Sequence, residues 1–439
     1  MNTEISGRSR RRSLRPLVGV LTAIAVSQTG TRVSAVALPW FVLVTTGSAT
    51  QTGLVAFCEL TPYVVVKALT GPLVDRTGPR AVSWTTDLVS AIAAGAIPLL
   101  HSLHLLSFAL LLALVAVVGA ARGPGDLAKE VMVPEAADLA EIPLERATGL
   151  TGTTERLAST IGPAAGGALV ALLGPLTGIV VNACSFALGS VIIGLALPRG
   201  VGQSVDARSD DAGEAGEVES GYWQRFAEGF TFLRGQPLLL SVIVMVACTN
   251  LLDQGLSSVL IPFWARQSGG GPTAIGLMSS AGGAAAVAGS LVAAALAHRL
   301  PRRLVFFAGF LVAGAPRFLI LASGAPLGAV LAVFAVAGLG AGFINPVIGA
   351  VLLERVPRRM LGRVSALGDS LAWAGIPLGG LLAGAAVVAA GLVPVLLVGG
   401  SAYFLTTNLA GLRPEWREMK RPDARPRPRA GSLRPSRPS

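Results

Sequence analysis

Three ionisable residues, Arg32, Glu59 and Asp253, lie inside long apolar stretches of the sequence. A charge is costly in such surroundings, so residues of this kind are candidates for function. A carboxylate there can take up and release a proton, and an approaching arginine favours its charged form. We therefore expect Glu59 or Asp253 to carry a proton, with Arg32 as a switching partner. The alternative is a static Arg32–Glu59 pair that only holds two helices together.

Other polar residues in the apolar stretches fall into two groups. Four charged residues are expected to form ion pairs at a gate or at the inner membrane surface: Arg122, Glu155, Arg156 and Asp369. Arg122 is the one that we expect to matter most for function. Four amides suit either a ligand in a central cavity or bonds between helices: Gln28, Asn250, Gln254 and Asn345. Lys67 and Arg317 are expected to reach the membrane surface or to find a partner.

Catalytic chemistry has little support in the sequence. The three histidines, His101, His104 and His298, are too few and too scattered for a metal site. No phosphate-binding loop of the nucleotide-hydrolysing type is present, which argues against an ATP-driven pump within this chain. We expect neither an enzyme nor a bound metal or cofactor.

The composition indicates which elements position these residues. Of 439 residues, 52% are hydrophobic and 13% are charged, whereas about a quarter are charged in a typical soluble domain. The apolar residues form runs of roughly 20, the length that crosses a bilayer as a helix. The pattern predicts an all-α membrane protein with twelve transmembrane helices in two pseudo-symmetric six-helix bundles. The fourth span is expected at 105–126.

The same pattern predicts five segments along the chain. They are a basic tail over 1–15, a first bundle over 16–198, a linker over 199–236, a second bundle over 237–412 and a basic tail over 413–439. The linker is rich in glycine, serine and acidic residues, which is typical of disorder. Within it, residues 222–234 have the spacing of an amphipathic helix on the membrane surface, although an extension of span seven fits equally.

Loop charges predict the orientation of the chain. Arg76, Arg80, Lys129 and Arg303 fall in even-numbered connections, whereas the odd-numbered ones are almost bare, with Arg266 as the exception. Positive loops stay on the cytoplasmic side, so both termini should be cytoplasmic in a cell membrane. The net charge of +11 is explained by these loops and tails, and nucleic acid is not an expected partner.

The two halves of the sequence repeat. A shift of 223 positions places Val33–Pro39 on Leu256–Pro262, the loop from Asp75 on the loop from His298, and Val133-Pro134 on Val356-Pro357. Farther along, a shift of 214 places Pro163 on Pro377 and Glu155 on Asp369, whereas a shift of 217 would match Arg146 and Leu150 with Arg363 and Leu367. A shared register at separate places predicts duplicated bundles related by an axis along the membrane normal.

Two glycine-containing motifs follow the repeat. The loop after span two reads Gly71-Pro-Leu-Val-Asp75-Arg76-Thr-Gly78-Pro-Arg80. Gly71 is expected to let two helices approach, Asp75 to face a helix N-terminus, and the arginines to stay at the inner surface. Span five contains Gly162-Pro163-Ala-Ala-Gly166-Gly167, and span eleven contains a shortened copy, Gly375-Ile-Pro377-Leu-Gly379-Gly380. Proline bends a helix, and paired glycines permit close packing.

The repeat and both motifs resemble the major facilitator superfamily, over essentially the whole chain. The span-five motif is similar to that of its drug and siderophore exporter branches. The resemblance implies that the loop latches the two bundles together in the outward-facing state, although Pro79 stands where a basic residue is common. It also implies a proton-coupled secondary transporter that exports drugs, natural products or siderophores by alternating access.

Other functions remain open at this stage. They are an importer of a sugar or organic anion, a lipid flippase and a membrane sensor without transport activity. Aromatic residues make up only 5% of the chain and amides are sparse, which favours an apolar or amphipathic cargo over a sugar. The expected partners are a small molecule, protons and the lipid bilayer, and a monomer is expected.

Overall fold

A computed structural model describes residues 13–198, 230–296, 301–357, 360–413 and 416. All regular structure in these ranges is helical. By length and composition, eleven of the described helices or helix pairs can cross a membrane. Helix Arg15–Thr46 adds a twelfth, although the polar run from Ser27 to Arg32 interrupts its apolar sequence. The predicted all-helical, twelve-span membrane architecture is confirmed.

The spans follow one another through short connections. Spans one to six are Arg15–Thr46, Ala49–Leu69, Pro79–Ser102, Phe108–Leu139, Leu144–Leu173 and Pro175–Ala196. Span seven consists of Pro237–Gly255, a wider π-helical turn at Leu256–Leu260, and Ile261–Gln267; span eight is Gly271–Leu296. Span nine is Arg302–Ala313 with Ala315–Ala322, span ten Leu327–Arg355, span eleven Leu361–Trp373 with Ile376–Ala390, and span twelve Leu392–Leu412. Residues 222–229 of the predicted linker helix lie outside the described ranges.

Matching contacts show that the two bundles are copies of one fold. The Arg80 Nη2 atom donates to the carbonyl oxygen of Gly194 at 2.6 Å. Arg303, 223 positions after Arg80, donates to the carbonyl of Gly411 at 3.0 Å. In each bundle, an arginine at the start of the third span thus donates a hydrogen bond to the end of the sixth span. The predicted duplication is confirmed.

The first span begins and the last span ends at the same face of the membrane domain. The Arg15 Nη2 atom donates to the carbonyl of Leu195 at 3.0 Å, and Trp416 Nε1 donates to Ser241 Oγ at 3.0 Å. We call this side of the protein the terminal face. At the opposite side, the far face, Thr50 at the start of span two donates to the carbonyl of Gly384 near the end of span eleven.

Span four is longer than the sequence pattern predicted. Its helix runs from Phe108 to Leu139, so the prediction that Lys129 lies in a connecting loop is wrong. Lys129 is buried, and its ammonium lies 2.7 Å from Asp87 Oδ1 on span three. A buried carboxylate on a neighbouring helix lets a lysine stay inside the bundle, and hydropathy along one helix does not reveal that neighbour.

The loop signature forms a separate short helix, Gly71–Thr77. Gly78 ends it with a φ of +83°, a conformation that glycine adopts readily. The expected close approach at Gly71 is wrong for this structure, because a β-carbon built there would meet no atom of the described residues within 4 Å. Arg76 is exposed, and Arg80 remains at the terminal face as expected.

Candidate functional site

Glu59 on span two is paired with Arg122 on span four. Arg122 Nη1 lies 3.2 Å from Glu59 Oε1, and Arg122 Nε lies 3.7 Å from Asp126 Oδ2. The guanidinium also lies over the Tyr63 ring, 4.3 Å from its centre. Span four approaches closely because Gly119 packs against the Glu59 backbone, where a β-carbon would clash. One arginine is therefore shared between two carboxylates on two helices.

The structure does not form the expected pair between Arg32 and Glu59. Among the described residues, no carboxylate oxygen lies within 4 Å of the Arg32 guanidinium. Arg32 still interacts electrostatically with Arg122 and Asp126, so it belongs to the same charged cluster. Arg122 pairs with Glu59 in place of Arg32. It can do so because it lies at the depth of Glu59 and not near the inner surface.

Glu59 belongs to the strip of span two that faces the second bundle. Toward the far face, Gly53 and Ala56 contact Gly380 of span eleven. Toward the terminal face, the Lys67 ammonium lies 5.5 Å from the centre of the Trp373 ring, also on span eleven. Residues three or four apart share a helix face, so Glu59 lies between these contacts at the interface. Lys67 forms an ion pair, one of the two outcomes expected for it; its partner is Glu130, at 3.2 Å.

The span-five motif brings span five against two other helices at once. A β-carbon at Gly162 would lie 2.5 Å from the β-carbon of Arg32, and one at Gly166 would lie 2.9 Å from the α-carbon of Val33, both on span one. On the other side, Gly167 approaches Gly276 of span eight. The motif thus joins span one of its own bundle to span eight of the other bundle.

The span-eleven copy repeats this arrangement. Gly375 and Gly379 pack against span seven, and Gly380 packs against span two. The glycines that make corresponding contacts in spans five and eleven are 213 positions apart. The predicted shift of 214, which placed Pro163 on Pro377, is therefore wrong by one residue. In the corrected register Asp369 matches Arg156, not Glu155.

The remaining predicted gate residues do not form the expected ion pairs in this conformation. Arg156 Nη1 instead donates to Ser290 Oγ on span eight at 3.2 Å. Glu155 and Asp369 are exposed, and within the described ranges neither has an ion-pair partner within 4 Å. Asp75 lies in the helix Gly71–Thr77.

Asp253 in the second bundle has its own arginine. Arg317 Nη2 on span nine lies 2.6 Å from Asp253 Oδ1. The Tyr403 side chain on span twelve interacts with both partners. Its ring packs where span nine is broken at Gly314, at a point with no room for a β-carbon. Sequence reasoning missed this pairing, although Arg317 carried the signal of a charge within an apolar stretch.

The Asp253–Arg317 pair lines a cavity of about 410 Å³ inside the second bundle. Asn250 and Asn345 line it as well, and Asn250 also donates to the carbonyl of Ala372 on span eleven at 3.0 Å. The other two predicted amides lie elsewhere. Gln254 packs its β-carbon against Gly379, and Gln28 borders a small gap beside Lys129 in the first bundle.

Comparison with known proteins agrees with this architecture. A family model described as Major Facilitator Superfamily matches residues 20–254 and 243–437. The chain is 32% identical over 414 residues to the multidrug efflux pump Tap of Mycobacterium tuberculosis, covering 92% of this chain and 94% of the relative. It is 31% identical over 404 residues to the pump of the same name from Mycolicibacterium fortuitum, covering 89% and 95%.

Solved structures show the same fold at low identity. The nucleoside transporter NupG superposes with a TM-score of 0.71 at 14% identity, covering 93% of this chain and 99% of that one. A bacterial homologue of the human lysosomal transporter Spinster, inward-facing and unoccupied, superposes with a TM-score of 0.67 at 15% identity, covering 94% and 99%. On the strength of the family match across both bundles, the chain belongs to the major facilitator superfamily.

Proposed function

We propose that this protein is a secondary transporter that exports drugs or other amphipathic small molecules in exchange for protons. The observation that carries the proposal is the Glu59–Arg122 pair, which lies at the bundle interface within a family of transporters. The names of the mycobacterial relatives, multidrug efflux pumps, support the direction and the class of cargo.

The contacts between the bundles support an alternating-access cycle. Toward the far face, Gly53 approaches Gly380, Gly384 approaches Ala49, and Gly167 approaches Gly276. The half of span eleven nearer the terminal face, Leu361–Trp373, meets span two lightly, around Lys67 and Trp373. This conformation is closed at the far face. With the terminal face in the cytoplasm of a bacterial cell, it corresponds to the state that loads cargo from inside.

Proton coupling follows from the shared arginine. Protonation of Glu59 would remove the charge that holds Arg122 on span two, and Arg122 would turn to Asp126 on its own helix. The Tyr63 hydroxyl, which donates to Asp126 Oδ2 at 3.4 Å, keeps that second carboxylate in place. Loss of the proton restores the link between spans two and four. Of the predicted coupling residues, Glu59 therefore takes the proton, Arg32 supplies nearby positive charge, and Asp253 has a different role.

A matched pair of carboxylate variants tests the proposal. Purified protein in liposomes is given a pH gradient, and movement of a panel of fluorescent drugs that the wild type transports is followed. Glu59→Gln should bind these drugs but no longer move them against a concentration gradient, because it cannot exchange a proton. Glu354→Gln, the same chemical change at an ion pair on the terminal face of the second bundle, is the control and should keep the response to the gradient.

Full gradient-driven transport by Glu59→Gln would contradict the coupling role. Accumulation of the panel toward the terminal side in cells would indicate an importer instead. Lipid movement in vesicles without a proton gradient would indicate a flippase.

A further inference from the structure

We propose that the cavity of the second bundle binds amphipathic zwitterions, molecules with one amine cation and one acidic group on an apolar body. The inference rests on the proposed function, because it names the class of cargo that the transporter would carry. It assigns recognition to residues of spans seven and nine rather than to the charged cluster of the first bundle.

The two charges of the cavity are both accessible from it. The Asp253 side chain is 36% exposed and the Arg317 side chain 21% exposed, although they form a short ion pair. Both residues line the cavity, and no other charged residue does among the described lining residues. Within the described part of the chain, the Nε atom of Arg317 is buried without a hydrogen-bond partner. An acceptor and a donor of opposite charge therefore face the same space.

Charge balance selects the ligand. A simple cation bound at Asp253 would leave an uncompensated positive charge in a membrane-embedded cavity, and a simple anion at Arg317 would leave a negative one. Either arrangement carries the penalty of a buried unpaired charge. A zwitterion brings its ammonium to Asp253 and its acidic group to Arg317, so the cavity stays neutral.

The remaining walls fit an apolar body of moderate size. A volume of about 410 Å³ lies within the range of small-molecule sites, which combine apolar walls with a few polar groups. The apolar walls include Met278, Phe310, Phe334 and Ile344. The π-helical turn of span seven begins three residues after Asp253, and wider turns of this kind occur often at functional sites.

The corresponding place in the first bundle is filled, and the three matching residues carry no charge. By the shift of 223 positions, Asp253 matches Gly30 and Arg317 matches Ala94. By the shift of 217 that relates Gly194 to Gly411, Tyr403 matches Phe186. Phe186 and Ala94 pack in one buried apolar cluster, and Gly30 is closed in by Ser185. The second bundle therefore carries an aspartate, an arginine and a tyrosine beside a cavity, at positions where its copy has glycine, alanine and phenylalanine.

The test uses three dyes that share one fluorescent body. Nε-dansyl-lysine is a zwitterion, its methyl ester is a cation, and its Nα-acetyl derivative is an anion. Binding to the purified full chain in lipid nanodiscs is measured from dansyl fluorescence, without any gradient. The wild type should bind the zwitterion about tenfold or more tightly than either relative, as expected for one additional charge-assisted hydrogen bond.

Single substitutions should reorder the three dyes in opposite directions. Arg317→Gln leaves Asp253 unbalanced, so the cationic ester should become the tightest ligand. Asp253→Asn leaves Arg317 unbalanced, so the anionic derivative should become the tightest. The control is Arg302→Gln, the same chemical change at an ion pair on the terminal face of the second bundle, which should preserve the wild-type order.

Equal affinities of the three dyes in the wild type, or an unchanged order of affinity in both cavity variants, would overturn the inference.

If a cavity variant fails to fold, protection of a cysteine placed in the cavity tests the inference in an otherwise native chain. In a background with Cys58, Cys184 and Cys248 replaced by serine, Nε-dansyl-lysine should protect Asn345→Cys from a maleimide, and absence of protection would overturn the inference. Binding needs no proton gradient. If the dyes show no preference by charge but the wild type still exports drugs in response to the gradient, only this inference is wrong. If the dye preference is as expected but Glu59→Gln still exports drugs in response to the gradient, only the proposed coupling is wrong.

Discussion

The two bundles have the same helical plan but different interiors. Among the described residues, the first bundle buries nine polar or charged side chains and the second buries three. In the first bundle these are Ser27, Thr52, Thr70, Ser83, Asp87, Ser90, Lys129, Asn182 and Ser190; in the second they are Thr249, Ser258 and Thr407. The buried apolar residues of the second bundle form one continuous cluster, whereas those of the first are divided into several.

This difference suggests a division of labour between duplicated halves. In the first bundle, ion pairs join neighbouring helices through the interior, as Asp87 and Lys129 do. In the second, apolar packing joins the helices and the Asp253–Arg317 pair faces a cavity. The first bundle is therefore suited to respond to a proton, and the second to hold a ligand. Three substitutions test the comparison.

The largest effect is expected from Lys129→Met. The change keeps an unbranched side chain but leaves the Asp87 carboxylate buried without its partner. Asp87 Oδ2 and the nearby Ser27 Oγ already lack hydrogen-bond partners within the described residues, so no other group offsets the loss. The free energy of unfolding should fall by about 3–5 kcal/mol. Chemical denaturation in detergent micelles measures it.

The control removes both charges together. Asp87→Leu with Lys129→Met should be far more stable than Lys129→Met alone, because replacing a buried ion pair by apolar groups is often nearly neutral. A double variant as unstable as the single one would show that the pair does more than balance charge. A single variant with wild-type stability would contradict the contrast between the two interiors.

An intermediate effect is expected from Gly314→Ala in span nine. The added methyl group would collide with the Tyr403 ring, and overpacking of this kind costs about 1–3 kcal/mol. It should also weaken zwitterion binding, because Tyr403 interacts with the Asp253–Arg317 pair. Thermal unfolding and dansyl fluorescence report the two effects.

The matched change in the first bundle is Ala91→Gly, at the position 223 residues earlier. Ala91 lies in the unbroken helix of span three and packs against an apolar cluster, so the substitution should cost about 1 kcal/mol, mainly through helix propensity. It should leave ligand binding unchanged. Equal effects of the two changes on binding would mean that the break in span nine has no special role.

The elements that were predictable from sequence are those with local signals. Apolar runs located the spans, and the repeat at 223 positions located the two bundles. The end of span four was not predictable, because Lys129 looks like a loop residue until Asp87 on another helix neutralises it.

For the candidate site, the sequence indicates which charged residues lie in apolar stretches but not how they pair. Glu59 and Asp253 stand out in the sequence as costly charges, yet the sequence alone favours Arg32 as the partner of Glu59. The structure pairs Glu59 with Arg122 and Asp253 with Arg317. Each pair joins helices two spans apart, so the pairing depends on how the helices pack, and hydropathy along the chain contains no information about that.

The smallest effect is expected from Glu354→Gln at the terminal face of the second bundle. Arg302 donates to both carboxylate oxygens of Glu354, at 2.6 and 2.8 Å, but the Glu354 side chain is 39% exposed. Water screens a pair at such a position, so the loss should stay below about 1 kcal/mol and shrink further as salt is added. The loss in Lys129→Met should not depend on salt, because that pair is buried. If Glu354→Gln destabilised the protein as much as Lys129→Met, the contribution of an ion pair to the free energy of unfolding would not depend on its depth in the membrane domain. The two bundles would then differ in which residues they bury, but not in how strongly their ion pairs stabilise them.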